Sequence, residues 1–166
     1  PYRDQDELPN FDSGEYDFSF SQLFRDNRYS GADRQSDANQ LTLALTSRLL
    51  DARSGRELLR GSLGQIRYFS DRRANLANHT VESRRSSDFV VELGAKPLPK
   101  LDLSAAARWN PKESQTELLT GRARYAPDNR HLISLDYRYR RGESLRQTDM
   151  LVYWPIGARW RVLGRW

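Results

Sequence analysis

The stretch QLTLALTSRLL, residues 40–50, sets Leu41, Leu43, Leu45 and Leu49 on one side and Thr42, Ala44, Thr46 and Arg48 on the other. Successive side chains of an extended chain point to opposite faces, so this alternation predicts a strand with one greasy and one polar face. A helix would instead repeat its apolar residues every three or four positions.

The same pattern continues toward the C-terminus. DARSG, 51–55, reads as a turn, and ELLRGSLGQIRYFS, 57–70, as a second strand. Its apolar parity shifts from Leu59 and Leu63 to Ile66 and Tyr68, which predicts a bulge near Gly64 and Gln65. Residues 71–86 carry charge without period and read as an exposed loop. DFVVELGA puts Phe89, Val91, Leu93 and Ala95 together; after the turn KPLPK, LDLSAAARWN does so for Leu101, Leu103, Ala105, Ala107 and Trp109. TELLTGRARYA sets Leu119, Gly121, Ala123 and Tyr125 against Thr116, Thr120, Arg122 and Arg124. RHLISLDYRYRR sets Ile133, Leu135, Tyr137 and Tyr139 against Ser134, Asp136, Arg138 and Arg140, and two more strands close the chain. About eight strands joined by hairpins predict an all-β antiparallel meander.

Composition narrows the classes. Lys and Arg total 27 against 22 Asp and Glu in 166 residues, and nearly all the positive charge is arginine. Mean hydropathy is −0.83, and no run approaches the roughly 20 apolar residues a spanning helix needs. A membrane barrel survives that test, because only alternate residues of its strands meet lipid. With no Cys, disulfides and thiolate chemistry are excluded. The polar opening at Pro1 has no signal-peptide character, so a secreted or outer-membrane protein would be a mature form or a fragment. His79 falls in a loop and His131 opens a strand; no nucleophile has a base nearby, and neither metal-ligand spacing nor a Gly-rich phosphate loop occurs. The expectation is a protein that is not an enzyme and uses no cofactor or metal.

A soluble sandwich or lipocalin-like barrel also alternates, with its apolar face turned inward. Here the polar face is dominated by Arg48, Arg67, Arg108, Arg122, Arg124 and Arg138 with small residues between, where a soluble exterior mixes Lys, Glu, Thr and Asp. Aromatics toward strand ends, Tyr68, Phe69, Trp109, Tyr125, Tyr139 and Trp154, stand where a membrane barrel sets its interfacial girdle. DARSG, KPLP, PDN and PIGA are short while 1–38 and 71–86 are long, the asymmetry of periplasmic turns and outer loops; NPKES and RGES are short against that alternation. From the residues alone three readings stay open. They are a transmembrane barrel, a soluble basic β-domain binding nucleic acid through arginines and aromatics such as DYRYRR, and a small eight-stranded outer-membrane barrel complete in itself.

Immediately before the opening strand lies LFRDNRYSGADRQSDANQ, residues 23–40. Together with the hairpin returning as GSLGQIRYF, it resembles the barrel domain of the LptD family of lipopolysaccharide-assembly proteins. In that family a motif of the form LFR-x-NR-[FY]-SG-x-DR-x-x-DANQ ends a long segment just before a barrel strand, and Leu23 to Gln40 fill it throughout. VYWPI, 152–156, is similar to a QWPI-like strand end, with Tyr153 where glutamine is more usual.

The resemblance implies an integral barrel of the Gram-negative outer membrane, a translocon that passes lipopolysaccharide to the outer leaflet through a lateral opening between its first and last strands. It also implies partners: an LptE-like lipoprotein plug subunit, periplasmic lipopolysaccharide-bridge proteins reached through a jelly-roll domain, the outer-membrane lipid, and no nucleic acid. The chain shows no jelly-roll, too few strands to close so wide a barrel, and none of the cysteines that tie the two domains together in many relatives. It is therefore expected to be an internal piece of the barrel, with a lead-in over 1–38 and strands over 39–166.

Roles for residues follow. In the motif loop, Asp26, Asn27, Arg28, Ser30, Gly31, Asp33, Arg34, Asp37, Asn39 and Gln40 are expected to pair their own charges and to cap or line the lumen. Arg48, Arg108, Arg122, Arg124 and Arg138 would line that lumen, contacting phosphate or the plug, or simply solvating it with cross-strand pairs to Asp102, Asp136 and Asp149. Leu41, Leu43, Leu45, Phe89, Val91, Leu93, Leu101, Leu103, Trp109, Ile133 and Leu135 would face lipid.

Overall fold

The computed structural model describes residues 5, 9–37, 39–76 and 81–166, which leaves His79 outside the described residues. Among the described residues eight strands follow one another: β1 Gln40–Leu50, β2 Glu57–Tyr68, β3 Phe89–Ala95, β4 Leu101–Asn110, β5 Gln115–Asp128, β6 His131–Arg140, β7 Leu145–Ile156 and β8 Trp160–Arg165. They lie in one sheet in the order β1 to β8, the antiparallel meander that the alternation predicts.

Asx caps close several of the short turns. Asp51 Oδ1 accepts from the Arg53 and Ser54 amides at 3.1 and 2.7 Å. Asn110 Oδ1 accepts from Lys112 and Glu113 at 3.0 and 3.3 Å, and Asp128 Oδ1 from Arg130 and His131 at 2.7 and 3.0 Å. Each carboxylate or amide holds the first amides past its strand, so the chain reverses without a buried loop.

The chain divides into two compact units, residues 1–44 with 64–90, and residues 45–63 with 91–166. The second is sheet. Its register stacks apolar residues across neighbouring strands: Leu103 pairs Ala123, Ala123 pairs Leu135, and Leu135 pairs Met150. A parallel row runs Leu101, Tyr125, Ile133 and Val152. The opposite face carries the row Ser104, Arg122, Asp136 and Asp149, and beside it Thr120, Arg138 and Gln147. The register shifts between Arg108, which pairs Leu118, and Trp109, which pairs Thr116. That bulge at Glu117 turns Thr116 to the side of Trp109, whereas unbroken alternation would put it with Thr120 and Arg122.

The first unit has a core: Leu23, Ile66, Tyr68 and Val90 are buried, with Phe18 and Phe20 packed against them. Leu23 follows a single 3₁₀ turn, Phe20–Gln22, whose Phe20 carbonyl accepts from the Leu23 amide at 3.3 Å. Two sequence expectations change here. Burial alternates unbroken along β2, with Ser62, Gly64, Ile66 and Tyr68 buried and Leu63, Arg67 and Phe69 exposed. No bulge repairs the parity at Gly64 and Gln65: Ile66 and Tyr68 lie on the face opposite Leu63 because Leu23 supplies apolar cover there. Tyr68 is therefore core and not part of an exposed aromatic girdle, and Arg67 shares a face with Leu63 and Phe69 instead of joining the polar arginines. Nor is the long β2–β3 connection simply exposed, since Arg72, Ala74 and Ser87 are buried in it.

Candidate functional site: the charged motif loop and the two-faced sheet

The charged run folds on itself and onto the segment before it through short polar side chains that bind carbonyls, amides and hydroxyls 7 to 22 residues away in the chain. Asp33 is its hub. Its Oδ1 accepts from the Ser13 hydroxyl, and its Oδ2 from the Phe11 amide at 2.6 Å. The Ser13 hydroxyl and then the Phe11 amide hold its carboxyl down from the ordinary 3.8 to about 2. Gly31 approaches the same place with φ of 79°; a Cβ on it would meet Asp12 Oδ1 at 2.6 Å and Ser13 Oγ at 2.8 Å. Only glycine fits both the conformation and the space.

Asn27 spans the loop: its Nδ2 donates to the Arg34 carbonyl at 2.8 Å while its Oδ1 accepts from the Ser36 amide at 2.9 Å. Ser30 Oγ donates to the Gly14 carbonyl at 3.1 Å. Arg34 is buried and its Nη1 donates to the Gln5 carbonyl. Asp26 contributes its carbonyl, which accepts from Ser36 Oγ at 3.1 Å.

A second set of bonds ties this loop to the β2–β3 connection. Asp37 Oδ2 accepts from the Arg73 amide at 2.7 Å and its Oδ1 from the Ala74 amide at 3.3 Å. Arg28 Nη2 donates to the Ala74 carbonyl and to Asn75 Oδ1 at 3.3 Å, and its Nε donates to the Tyr29 hydroxyl at 2.8 Å. The Tyr29 hydroxyl also donates to the Ala74 carbonyl. Burial pushes the Tyr29 phenol above its ordinary value, Arg28 beside it acting the other way. Across the connection, Arg72 stacks 3.7 Å over the Tyr68 ring and lies 3.5 Å from Glu82. The Asn39 carbonyl accepts from the Phe69 amide at 2.8 Å, and Gln40 then opens β1. The loop is thus a clamp between two long connections, closed by Asp37, Arg28 and Tyr29.

Sequence reasoning gave site roles to the charged and polar motif positions but not to Leu23, Ser13, Tyr29, Ser36 or Ala74, and took Gly64 only as the place of a bulge. Gly64 carried a usable signal, because a glycine inside a strand marks a close approach; a Cβ there would collide with Leu23 Cδ1. The partners of Asp33 and Asp37 carried none, since they lie 20 to 37 residues away in the chain.

On the polar face of the second unit, Arg122 pairs with Asp136, and Asp149 accepts from Arg165 Nη2 at 2.9 Å. Asp136 and Asp149 face each other directly in the register, so each carboxylate is balanced by an arginine from its other side. Thr120, Arg138 and Gln147 join them around an open hollow of about 550 Å³. Asp102 is paired by Lys96 at 3.2 Å and not by an arginine. Arg124 lies across from Asp102 and Ser134, Arg108 opens the same face from β4, and Arg48 lies in β1 two residues from Thr46, whose hydroxyl contacts Ser62 Oγ at 3.0 Å. On the other face of that unit Leu45, Leu93, Leu103, Trp109 and Leu135 are exposed, and Val91, Leu101 and Ile133 partly so; in the first unit Leu41 and Leu43 are exposed and Phe89 partly so. Among the described residues no group of three or more His, Asp or Glu could hold a metal ion.

These features define an all-β protein whose strands carry one apolar and one charged face and whose longest connections are folded by their own polar groups. The chain belongs to the LptD family: the family model described as "LPS transport system D" matches residues 1–160. It is 44% identical over 180 residues to the LPS-assembly protein LptD of Xanthomonas oryzae pv. oryzae. It is 43% identical over 166 residues to that of Nitrosococcus oceani and 43% over 172 to that of Xylella fastidiosa. Each match covers 100% of this chain and 22% of the relative, so the chain spans about a fifth of the length of these curated relatives.

Proposed function

We propose that this chain forms part of the wall of a transmembrane β-barrel in the outer membrane of a Gram-negative bacterium. That barrel acts as a non-enzymatic translocon delivering lipopolysaccharide to the outer leaflet. One observation carries the reading: all the buried hydrophobic side chains among the described residues, Leu23, Tyr29, Ile66, Tyr68, Ala74 and Val90, belong to the first unit. The rows of leucine and tyrosine in the second unit need an apolar medium outside the chain, and lipid supplies it. Strands of ten residues rise ~33 Å, which at a tilt of ~40° covers the ~25 Å of an outer-membrane belt. The names of the relatives supply lipopolysaccharide as the cargo.

In this reading the leucine rows touch lipid, while Arg48, Arg108, Arg122, Arg124 and Arg138 line the lumen, where guanidinium forks suit the phosphates of the cargo or the acids of a plug subunit. The motif loop holds the two long connections at one end of the strands, capping or lining the lumen. The lipoprotein plug and the periplasmic bridge, reached through a jelly-roll domain, complete the machine. A soluble nucleic-acid-binding domain is disfavoured, because it would need those leucines as its core.

The test is depletion of the full-length protein from cells, with lipopolysaccharide at the surface measured by a probe that cannot cross the outer membrane. Wild-type protein restores the surface signal, and a variant carrying both Asp37→Ala and Arg28→Ala restores less. Undiminished surface lipopolysaccharide after depletion contradicts the reading.

A further inference from the structure

On the leucine side of β1 and β2 a guanidinium interrupts the apolar surface. Arg67 alternates with buried Ile66 and Tyr68, so it points away from the core they form. The Phe69 amide bond to the Asn39 carbonyl, 2.8 Å, sets a register that brings Leu41 across from Arg67. On this face Leu41, Leu43 and Phe69 are 48%, 62% and 58% exposed. Arg67 is exposed too, and among the described residues it has no ion pair and no side-chain hydrogen bond.

Arg85 lies across from Tyr68, on the opposite face from Arg67. Its carbonyl accepts from the Tyr68 amide at 2.9 Å, and Ser86, next in the chain, bridges Arg67. The Arg85 guanidinium is fixed: Nη1 donates to the Phe69 carbonyl at 3.1 Å and Nη2 lies 3.6 Å from Asp71. The Arg85 charge is therefore held on the Tyr68 side and offset by Asp71, while the Arg67 guanidinium on the leucine side has no such partner among the described residues.

An arginine facing lipid is costly at mid-depth and nearly free at headgroup level. Arg67 is the last residue but one of β2, beside the long connection. There its aliphatic stem can lie along apolar neighbours while the head reaches the phosphate layer.

We propose that Arg67 is a docking position on the outer wall for the phosphate of an anionic membrane lipid, whose acyl chains run along Leu41, Leu43 and Phe69. This rests on the reading of the sheet as barrel wall. The planar fork of Arg67 grips the phosphate, and the greasy surround selects a phosphate attached to hydrocarbon over a free one. The position is on the face opposite Ile66 and Tyr68 and separate from the arginines assigned to the lumen.

The full-length protein in phosphatidylcholine nanodiscs, doped with a diphosphorylated glycolipid or with the same glycolipid stripped of phosphate, provides the test; native mass spectrometry reads the lipid retained. Arg67→Gln weakens retention of the phosphorylated form about fivefold, the loss expected when one interfacial arginine no longer faces an anionic lipid. Arg67→Lys, which keeps the charge but loses the fork, retains an intermediate amount, and Arg130→Gln, in the β5–β6 turn, behaves as wild type. Unchanged retention in Arg67→Gln, equal retention of the stripped lipid, or displacement by inorganic phosphate overturns the proposal. Failure of the protein to enter nanodiscs at all, seen before any doping, overturns the barrel reading instead.

Discussion

In the unit built from residues 1–44 and 64–90, Leu23 is 0% exposed and packs with Ile66, Tyr68 and Val90, while in residues 45–63 and 91–166 the buried side chains are only Ser62 and Asn110. One unit holds together as a small globular protein does, around its own apolar core and a clamp of polar bonds. The other has continuous backbone ladders and two ordered faces but keeps no oil for itself. Ladders alone add little net stability, because water offers the same hydrogen bonds to the unfolded chain. The difference teaches that the sheet is half of a structure, completed by whatever meets its leucine face.

The largest effect is expected at the buried leucine. Leu23→Ala should cost about 3–5 kcal/mol locally, the transfer and cavity loss of a fully buried leucine. Limited proteolysis checks it: cleavage within residues 9–37 should rise while strands β4–β8 stay protected. Loss of both together would break the comparison. Next comes Leu135→Arg, in the row with Leu103, Ala123 and Met150. Reconstituted in a bilayer it should destabilise the barrel by about 2–4 kcal/mol, read by urea-driven unfolding, because a charge then faces hydrocarbon. A change within error would mean that this face meets water.

Smaller is Gly31→Ala, which should cost about 1–2 kcal/mol through its left-handed backbone, with crowding against Asp12 and Ser13 added. Amide exchange at Phe11 should quicken while β5 and β6 keep their protection. The smallest concerns Asp33, whose carboxyl is held at about 2 against an ordinary 3.8. A carboxyl depressed in the folded state stabilises the loop above its unfolded value, and that contribution is lost as pH falls from about 4 through 2. Titration of Asp33 followed by NMR should give a midpoint near the lower value, and Ser13→Ala should move it upward.

The strands were legible because each needs only its own alternation, and β4 to β7 show it in nearly every residue. Thr116 was misplaced because a one-residue bulge leaves no mark in composition. β2 was misread more instructively. Its parity break is real and local repair was the economical explanation, yet the cause is Leu23, more than forty residues earlier, which gives Ile66 and Tyr68 something to pack on. The motif loop was legible as a motif and not as a structure. Asp33 and Asp37 bind amides far along the chain, and no spacing rule links Asp37 to Ala74.

Lipid accessibility along a single strand pair tests the central claim most directly. With the full-length protein in bilayers, a fluorophore is placed by cysteine substitution at Leu103, Ser104, Leu135 and Asp136 in turn and quenched by brominated acyl chains. Strong quenching at Leu103 and Leu135 with little at Ser104 and Asp136 is the result expected of a barrel wall. Quenching that ignores the alternation, or that favours Ser104 and Asp136, would contradict it.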